Sequence, residues 1–516
     1  LNQSRILLAR ILYYFRESAD TGWSLIGSGF HHNQEAGSMQ NKLARIHQTS
    51  MAILEKVGIK LHHSEICSTL KENGIKVKDR IAFFTEEQVM TWVNKAPAKF
   101  TLHARNPQQD ALIGGGQPQY VGGYGSAAII DAAGNRRDAT LSDYIRFIKL
   151  VQQCDGFRLN GGILVQPTEI PAAQTHAAMT YATMLYSDKC ILGQPGPAKA
   201  VETIMAMAAM VFGGRKALMQ QPRVLTLVNT LSPLQIDQVA LDTIKIHAEY
   251  GQPLIISAGV MSGTTAPITL AGSLAMGNAE VLAAIAITQM LREGTPVVMG
   301  IAVVPADMRT GGLNLGAPAT ATCIRYVKAL TAMYGIPCRC GGSGSDADGL
   351  TAQSGYESMM NMFVTLQEKV DLIIHSAGML SSYSAMSFEK FITDLNAIRL
   401  IEHYQADIAV DDNALALPVI IETGHGGQYL THSHTLDHCR SVPWNSVLDG
   451  IGHRKDAENV QKAYLANVNS ALERILSTYS QPELDAGLRT DLESFLIKSG
   501  VEAKVLDMLR TAEARS

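Results

Sequence analysis

Nine polar side chains stand just past short apolar runs in this sequence: Gln166, Gln194, Asn229, Ser257, Asp307, Arg309, Arg339, Asp346 and His375. If those runs are strands of one parallel sheet, the nine converge on a pocket mouth that is polar but carries few charges. Asp346 and His375 are the candidate catalytic groups, and the two arginines suit two-point binding of a carboxylate. A second concentration is histidine: His425, His432, His434 and His438 all fall within HGGQYLTHSHTLDHCR. Neutral imidazoles this close together could bind a transition metal. However, H-x-H-x-x-x-H comes without the cysteine or carboxylate pair of familiar zinc spacing, and HExxH is absent. Helix capping is the stronger reading, and no metal ligand is assigned. Cys338-x-Cys340 falls short of a CxxC redox pair, and without a G-x-S-x-G elbow a nucleophilic hydrolase has little support.

The elements that must position these groups recur regularly. Apolar runs begin near Arg158, Cys190, Arg223, Leu254, Val297, Pro337 and Leu372, each followed by a helical pattern, at a spacing of about 30 to 44 residues. Neither a G-x-G-x-x-G nor a P-loop fingerprint follows any of them, so the repeat predicts a (β/α)8 TIM-type barrel over residues 156–429 rather than a dinucleotide fold. Seven strands are accounted for. The eighth is either Ala128–Asp131 or Pro418–Thr423. Before the barrel, residues 39–155 read as an N-terminal α/β module, with helices from Gln40 to just before Gly58, from Glu65 to Asn73 and from Glu86 to Lys95, and a further helix from Ser142 to Gln153. After it, residues 430–516 read as a helical C-terminal extension. Residues 1–38 pair an amphipathic stretch, Ile6–Phe15, with a Gly/Ser/His-rich run, Gly22–Ser38, and are read as an extension upstream of the functional fold.

Composition narrows the function. The chain has 516 residues, 46% of them apolar and 17% charged, which excludes a disordered or collagen-like chain. With 43 basic against 47 acidic residues and no long Lys/Arg block, a nucleic-acid footprint is missing. The charge-free stretch between Glu249 and Glu280 is punctuated by Pro253, Gly259, Gly263, Pro267 and Gly272, which argues against a membrane span. Seven scattered cysteines suit free thiols in a reducing, cytoplasmic setting.

From about Lys42 to Trp444 the chain resembles the trimethylamine methyltransferase family. The segments that carry the resemblance are IHQTSMAILEKVGI, YVGGYG with the following Asp131, CGGSGSDADGLTAQSGYES and GGQYLTHSHTLDHCR. The resemblance implies a (β/α)8 protein that moves a methyl group from a methylamine to the cobalt of a separate corrinoid protein, from which a third protein methylates tetrahydrofolate or another acceptor. Archaeal trimethylamine enzymes carry pyrrolysine in the segment matching SDADGLTAQSGYE, where this chain has standard residues around Ala347 and Asp348. The resemblance is therefore to the branch without pyrrolysine, whose substrates are quaternary amines such as glycine betaine, proline betaine or carnitine. A quaternary nitrogen already carries the charge that makes a neutral tertiary amine the leaving group, so positioning and desolvation are the protein's task.

A trimethylammonium group has no N–H, so aromatic faces and nearby carboxylates must recognise it. Tyr120, Tyr124, Tyr356, Phe363, Tyr383 and Tyr429 are the candidate rings, and Asp307 or Asp346 the charge. Arg309, Arg339 and His375 would hold a betaine carboxylate, with Gln194 and Asn229 in the lining. The chain lacks the D-x-H-x-x-G of cobalamin-carrying modules, so the corrinoid is expected on the partner protein and no tightly bound cofactor here. Related methyltransferases are oligomers, and a homo-oligomer is expected. Two other readings stay open: a metal-assisted barrel enzyme using the histidine cluster, and a catalytically silent relative that only binds quaternary amines.

Overall fold

The computed structural model describes residues 38–440, 446, 448–449 and 460–514; the segment read as the upstream extension, residues 1–38, lies outside them except for Ser38. Eight parallel strands make one sheet. They are β1 (Gln119–Tyr120), β2 (Leu159–Gly161), β3 (Cys190–Leu192), β4 (Val224–Asn229), β5 (Leu254–Ser262), β6 (Val297–Pro305), β7 (Cys338–Gly341) and β8 (Leu372–Ile374). The sheet runs β1-β8-β7-β6-β5-β4-β3-β2, so each strand from β2 to β7 neighbours its successor and β8 pairs with β1. The remaining seam, between β1 and β2, is bridged just beyond the strands. There the Gly125 N–H donates to the Ile163 carbonyl and the Gln166 N–H to the Ser126 carbonyl, both at 2.7 Å. A helix follows every strand: α1 (Leu141–Gln152), α2 (Ala172–Tyr186), α3 (Ala198–Val211), α4 (Gln238–Tyr250), α5 (Leu270–Leu291), α6 (Pro318–Tyr334), α7 (Ala352–Gln367) and α8 (Phe388–Gln405). This is the (β/α)8 barrel.

The two strand candidates for the eighth position are both corrected. Pro418–Thr423 lies in a helix, Leu417–Thr423. Ala128–Ile130 is a strand, but of a separate small sheet with Arg136–Asp138, Met379–Leu380 and Ala385–Met386. The true partner of β8 is Gln119–Tyr120, paired to Leu372 and Ile373. The barrel thus begins inside the segment read as the N-terminal module, and its last helix ends at Gln405 rather than reaching residue 429.

Strand alternation sorts the core into two layers. On β5, Leu254, Ile256, Ala258 and Val260 face the helices, while Ile255 joins Leu159, Leu225, Leu227, Val298, Leu372 and Ile374 inside. Burial is near total in both. Among the described residues α5 is the one helix long and apolar enough to cross a membrane, yet 83% of its apolar window is buried, which makes it a core helix. Its Glu280 is fully buried and accepts from Thr230 Oγ1, Ser232 Oγ and the Leu234 N–H at 2.6–2.8 Å, fixing the turn that follows β4.

The N-terminal helices form as their periodicity predicts, at Met39–Lys56, Ser64–Glu72 and Glu86–Val93. Gly58 ends the first with φ +74°, where a Cβ would sit 2.6 Å from the Ala82 carbonyl. The three-stranded sheet beside these helices takes its fourth strand, Gln235–Ile236, from the loop between β4 and α4, so the module and the barrel share a sheet. At the other end of the chain, helices Val460–Ser477, Ala486–Lys498 and Ala503–Ala514 pack on α1, α2, α3 and α8. Tyr181 and Tyr186 donate from α2 to Glu493 and to the Leu509 carbonyl.

Candidate active site

Inward-facing positions at the strands' C-terminal ends build a cup. Its floor is Arg339 on β7, whose guanidinium donates to Ser257 Oγ on β5 at 3.3 Å. Gly300 on β6 makes this possible: a Cβ there would stand 2.9 Å from Arg339 Cδ and 3.2 Å from Ser257 Oγ. One layer higher, Asn229 on β4 and Gly259 on β5 are exposed, and a Cβ on Gly259 would meet nothing within 4 Å. Inward-facing yet solvent-exposed residues mean that the cup is open above its floor. A cavity bordered by Arg339 and Tyr383 and reaching the side chains of Cys323 and Ile324 on α6 is about 30 Å3, too small for anything larger than water.

Two tyrosines and a histidine form the wall. Tyr124, after β1, donates to the Gly193 carbonyl at 3.3 Å and lies on Gly162, where a Cβ would come within 2.8 Å of its ring. Gln194 fixes that bed, donating to the Gly162 carbonyl while accepting from Thr180 Oγ1. Tyr383 lies over Gly341 and Gly344 and stacks on His375 with ring centroids 4.3 Å apart. The loop that carries it is strained: Ser381, Ser382 and Tyr383 have φ of 49°, 50° and 72°, and His375 itself has φ 61°. Left-handed backbone at non-glycine residues costs about 1–2 kcal/mol each and persists only where the surroundings impose it. Here the small sheet does so, pairing Ala385 and Met386 with Ala128 and Ile129.

The cup is electrostatically incomplete. Arg339 Nε and His375 Nδ1 are buried and have no hydrogen-bond partner among the described residues. Burial, and then the charge of Arg339, hold the imidazole well below its usual pKa, so it is neutral near pH 7. Burial lowers Arg339 from its ordinary 12.5 and pushes the Tyr124 and Tyr383 phenols up. A buried cation with an unused N–H, beside a neutral imidazole, is prepared for an anion.

Of the other expected residues, Asp346 organises loops. Its carboxylate accepts from the Leu315 and Gly316 N–H groups at 3.0 and 2.8 Å and from Ser382 Oγ at 2.6 Å, tying together the loops after β6, β7 and β8. Asp307 and Arg309 pair with each other at 3.3 Å on an exposed turn. Tyr120 points outward from β1, packing on Phe157 and donating to Glu402 at 2.7 Å. Phe363 packs on Tyr404 at the outer surface, and Tyr356 and Tyr429 are exposed. Thus Tyr124, Arg339, His375 and Tyr383 are brought together with Asn229 at the rim, and Tyr120, Phe363, Asp307 and Arg309 stand apart. Among the described residues no three His, Cys, Asp or Glu side chains converge on a metal position. His432 caps a short helix, accepting from the His434 N–H, and His434 reaches the Asn413 carbonyl.

Three buried charged side chains near these loops went unnoticed in the sequence. Glu357 accepts from Ser345 Oγ and the Asp346 N–H, and Lys390 pairs with Asp394 while donating to Ser358 Oγ at 2.8 Å, beneath the loops that hold Asp346 and Tyr383. The i,i+4 spacing of Lys390 and Asp394 is the signal that could have found that pair.

Comparison with known proteins agrees with this architecture. Residues 30–503 match the family model described as trimethylamine methyltransferase. A glycine betaine methyltransferase of Desulfitobacterium hafniense (strain Y51) is 35% identical over 90% of this chain and 97% of its own length. The chain belongs to the trimethylamine methyltransferase family. Two further relatives are less similar. A trimethylamine methyltransferase of Desulfitobacterium hafniense (strain DSM 10664 / DCB-2) is 28% identical over 80% of this chain and 84% of its own. A proline betaine:corrinoid methyltransferase of Eubacterium limosum is 26% identical over 87% and 95%. Within the family segment CGGSGSDADGLTAQSGYES, this member uses Asp346 and Glu357 to hold loops, and Gly341 and Gly344 to seat Tyr383.

Proposed function

We propose that this chain takes a methyl group from a quaternary ammonium carboxylate, glycine betaine first, and passes it to the Co(I) of a separate corrinoid protein, leaving a tertiary amine. The observation that carries this reading is the pair of partnerless buried nitrogens, Arg339 Nε and His375 Nδ1, beneath the rings of Tyr124 and Tyr383. A betaine carboxylate on the Arg339 guanidinium gains the charge-assisted bonds that the protein leaves unmade. The neutral imidazole supplies a further donor in one tautomer. The trimethylammonium group then lies above the floor, where tyrosine faces attract a cation that cannot donate a hydrogen bond. In the transfer the C–N bond breaks with its electron pair staying on nitrogen, and the Co(I) pair forms the new Co–C bond. The amine departs neutral, so no proton has to be supplied, and none of the cup groups is an acid near pH 7. Asp346 and the Lys390–Asp394 pair act as positioning residues, holding the loops on which the wall stands.

The relatives named for glycine betaine and proline betaine support the substrate class. The test is to mix the protein with a reduced cobalamin or corrinoid protein and follow Co(I) absorbance. Demethylation of glycine betaine without turnover of trimethylamine is expected; no turnover with any quaternary amine overturns the proposal.

A further inference from the structure

We propose, resting on the betaine reading of the cup, that Gly259 is its specificity-determining residue. The space its missing side chain leaves seats the N-methyl groups, and it selects carboxylates whose quaternary nitrogen stands one methylene away.

Three neighbouring strands supply the frame. Alternation turns Ser257 and Gly259 of β5, Gly300 and Ala302 of β6, and Arg339 and Gly341 of β7 inward, because the residues between them, Ala258, Ile301 and Cys340, belong to the helix-side core. Register sorts the six into two rows. Ser257 pairs with Gly300 and Gly300 with Arg339, whereas Gly259 pairs with Ala302, and Gly341 follows Arg339 by one strand repeat. The lower row is filled, since Arg339 reaches across the bare Gly300 to Ser257 Oγ at 3.3 Å. The upper row carries nothing larger than a methyl group. At Gly341 the space is taken, because the Tyr383 hydroxyl stands 3.3 Å from where a Cβ would be. Gly259 differs: it is exposed, and a Cβ there would meet no atom within 4 Å.

Nothing in the fold requires glycine at this position. Its backbone is ordinary strand paired to Ala302 and is not left-handed, and no neighbour crowds it as Arg339 and Ser257 crowd Gly300. What points to a ligand lies directly beneath: Arg339 Nε and His375 Nδ1, on side chains more than nine-tenths buried, have no hydrogen-bond partner among the described residues. Rows two residues apart on a strand differ in height by about 6.6 Å. A charge-assisted bond of about 2.8 Å to Arg339, then the carboxylate and one methylene, spans roughly that rise. The quaternary nitrogen therefore arrives level with Gly259 and Tyr383, where an aromatic face can attract it. Two more methylenes would carry it beyond the tyrosine into water.

Calorimetric binding to the full chain, without any corrinoid, tests this with trimethylammonium carboxylates of one, two and three methylenes. The wild type should bind the first, glycine betaine, at least about tenfold more tightly than the third. Gly259→Val should keep the wild-type melting temperature and weaken glycine betaine at least about tenfold. It should also cut the preference for one methylene over three to less than about threefold, because a slim methylene chain passes where a trimethylammonium group no longer fits. Equal wild-type affinity for one and three methylenes, or a Gly259→Val chain that keeps either the wild-type affinity or the wild-type preference, overturns the proposal and leaves the betaine reading intact. Should the valine variant melt well below the wild type, Gly259→Ala decides: a preference reduced at least about twofold supports the assignment, and an unchanged one overturns it. Absence of binding for every member of the series overturns the betaine reading and the role of Gly259 with it.

Discussion

Two ion pairs stand near the mouth of the barrel and the fold treats them oppositely. Asp307 and Arg309, on the turn after β6, meet at 3.3 Å with the arginine 77% exposed. Lys390 and Asp394, one helical turn apart on α8, are buried to within 2% and share their remaining bonds with Ser358 Oγ and the Gly378 N–H. The first pair is screened by water and rigidifies little. The second has no water to fall back on, so each charge depends on the other and on the loop atoms around them. Arg339 is a third case: buried like Lys390, but with one N–H left unused. A buried charge that is fully paired supports structure, whereas the unused N–H of Arg339 is, in the proposed function, where the betaine carboxylate binds.

That distinction can be broken most directly at Arg339. Arg339→Met should lower kcat/KM for glycine betaine by about 10²–10³-fold, the cost of losing one partner of a desolvated charge pair. The same change removes an incompletely paired buried charge, so the unfolding midpoint should hold or rise. A parallel loss of stability would show that Arg339 is structural. Lys390→Met should do the reverse. It strands Asp394 and should cost about 3–5 kcal/mol of stability, measured by denaturant unfolding, while Lys390→Met with Asp394→Leu should regain most of it.

How much of this was legible follows from what each residue answers to. Seven strands and their helices are local patterns, and the sequence displays them. β1 does not display itself: two residues long and flanked by Gly114–Gly116 and Gly122–Gly123, it is a strand because Leu372 and Ile373 pair with it. Arg339 and His375 were legible because strand ends define a barrel mouth. Tyr120 was not separable from Val121 by composition. One-residue alternation sends Tyr120 out to Phe157 and Val121 into the inner core, and only the pairing with β8 sets that phase. Phe363 misled for the matching reason on a helix: its face of α7 meets Tyr404 rather than the cup.

Gly300 tests the same contrast more finely, since it acts on the floor without touching charge. In Gly300→Ala the new methyl would press on Arg339 Cδ at 2.9 Å and on the Arg339 carbonyl at 3.1 Å. The guanidinium has to shift, and KM for glycine betaine should rise about tenfold while stability falls by about 1–3 kcal/mol, as overpacking does. Betaine affinity unchanged by this substitution would place the carboxylate elsewhere than on Arg339.

The smallest effects should come from pH and from the exposed pair. His375 is held well below its ordinary 6.5, so it gains a proton only in acid; the Tyr124 and Tyr383 phenols are pushed above 10, so they lose theirs only in strong base. Between those limits no side chain of the cup changes charge, and calorimetric affinity for glycine betaine should be flat from pH 7 to 9. A step in that window would mean that a group outside the cup binds the substrate. Asp307, half-buried on the turn after β6, is the carboxylate to ask. Bonds from Arg309 hold it below its ordinary 3.8, so it too stays ionised throughout. Being solvated and already paired, it should not matter: Asp307→Asn and Arg309→Ala should leave kcat/KM within about twofold and the melting temperature unchanged. A large loss in Asp307→Asn would move the ammonium site from the tyrosine wall to the turn after β6, because only a carboxylate facing the bound cation could exert that effect through water.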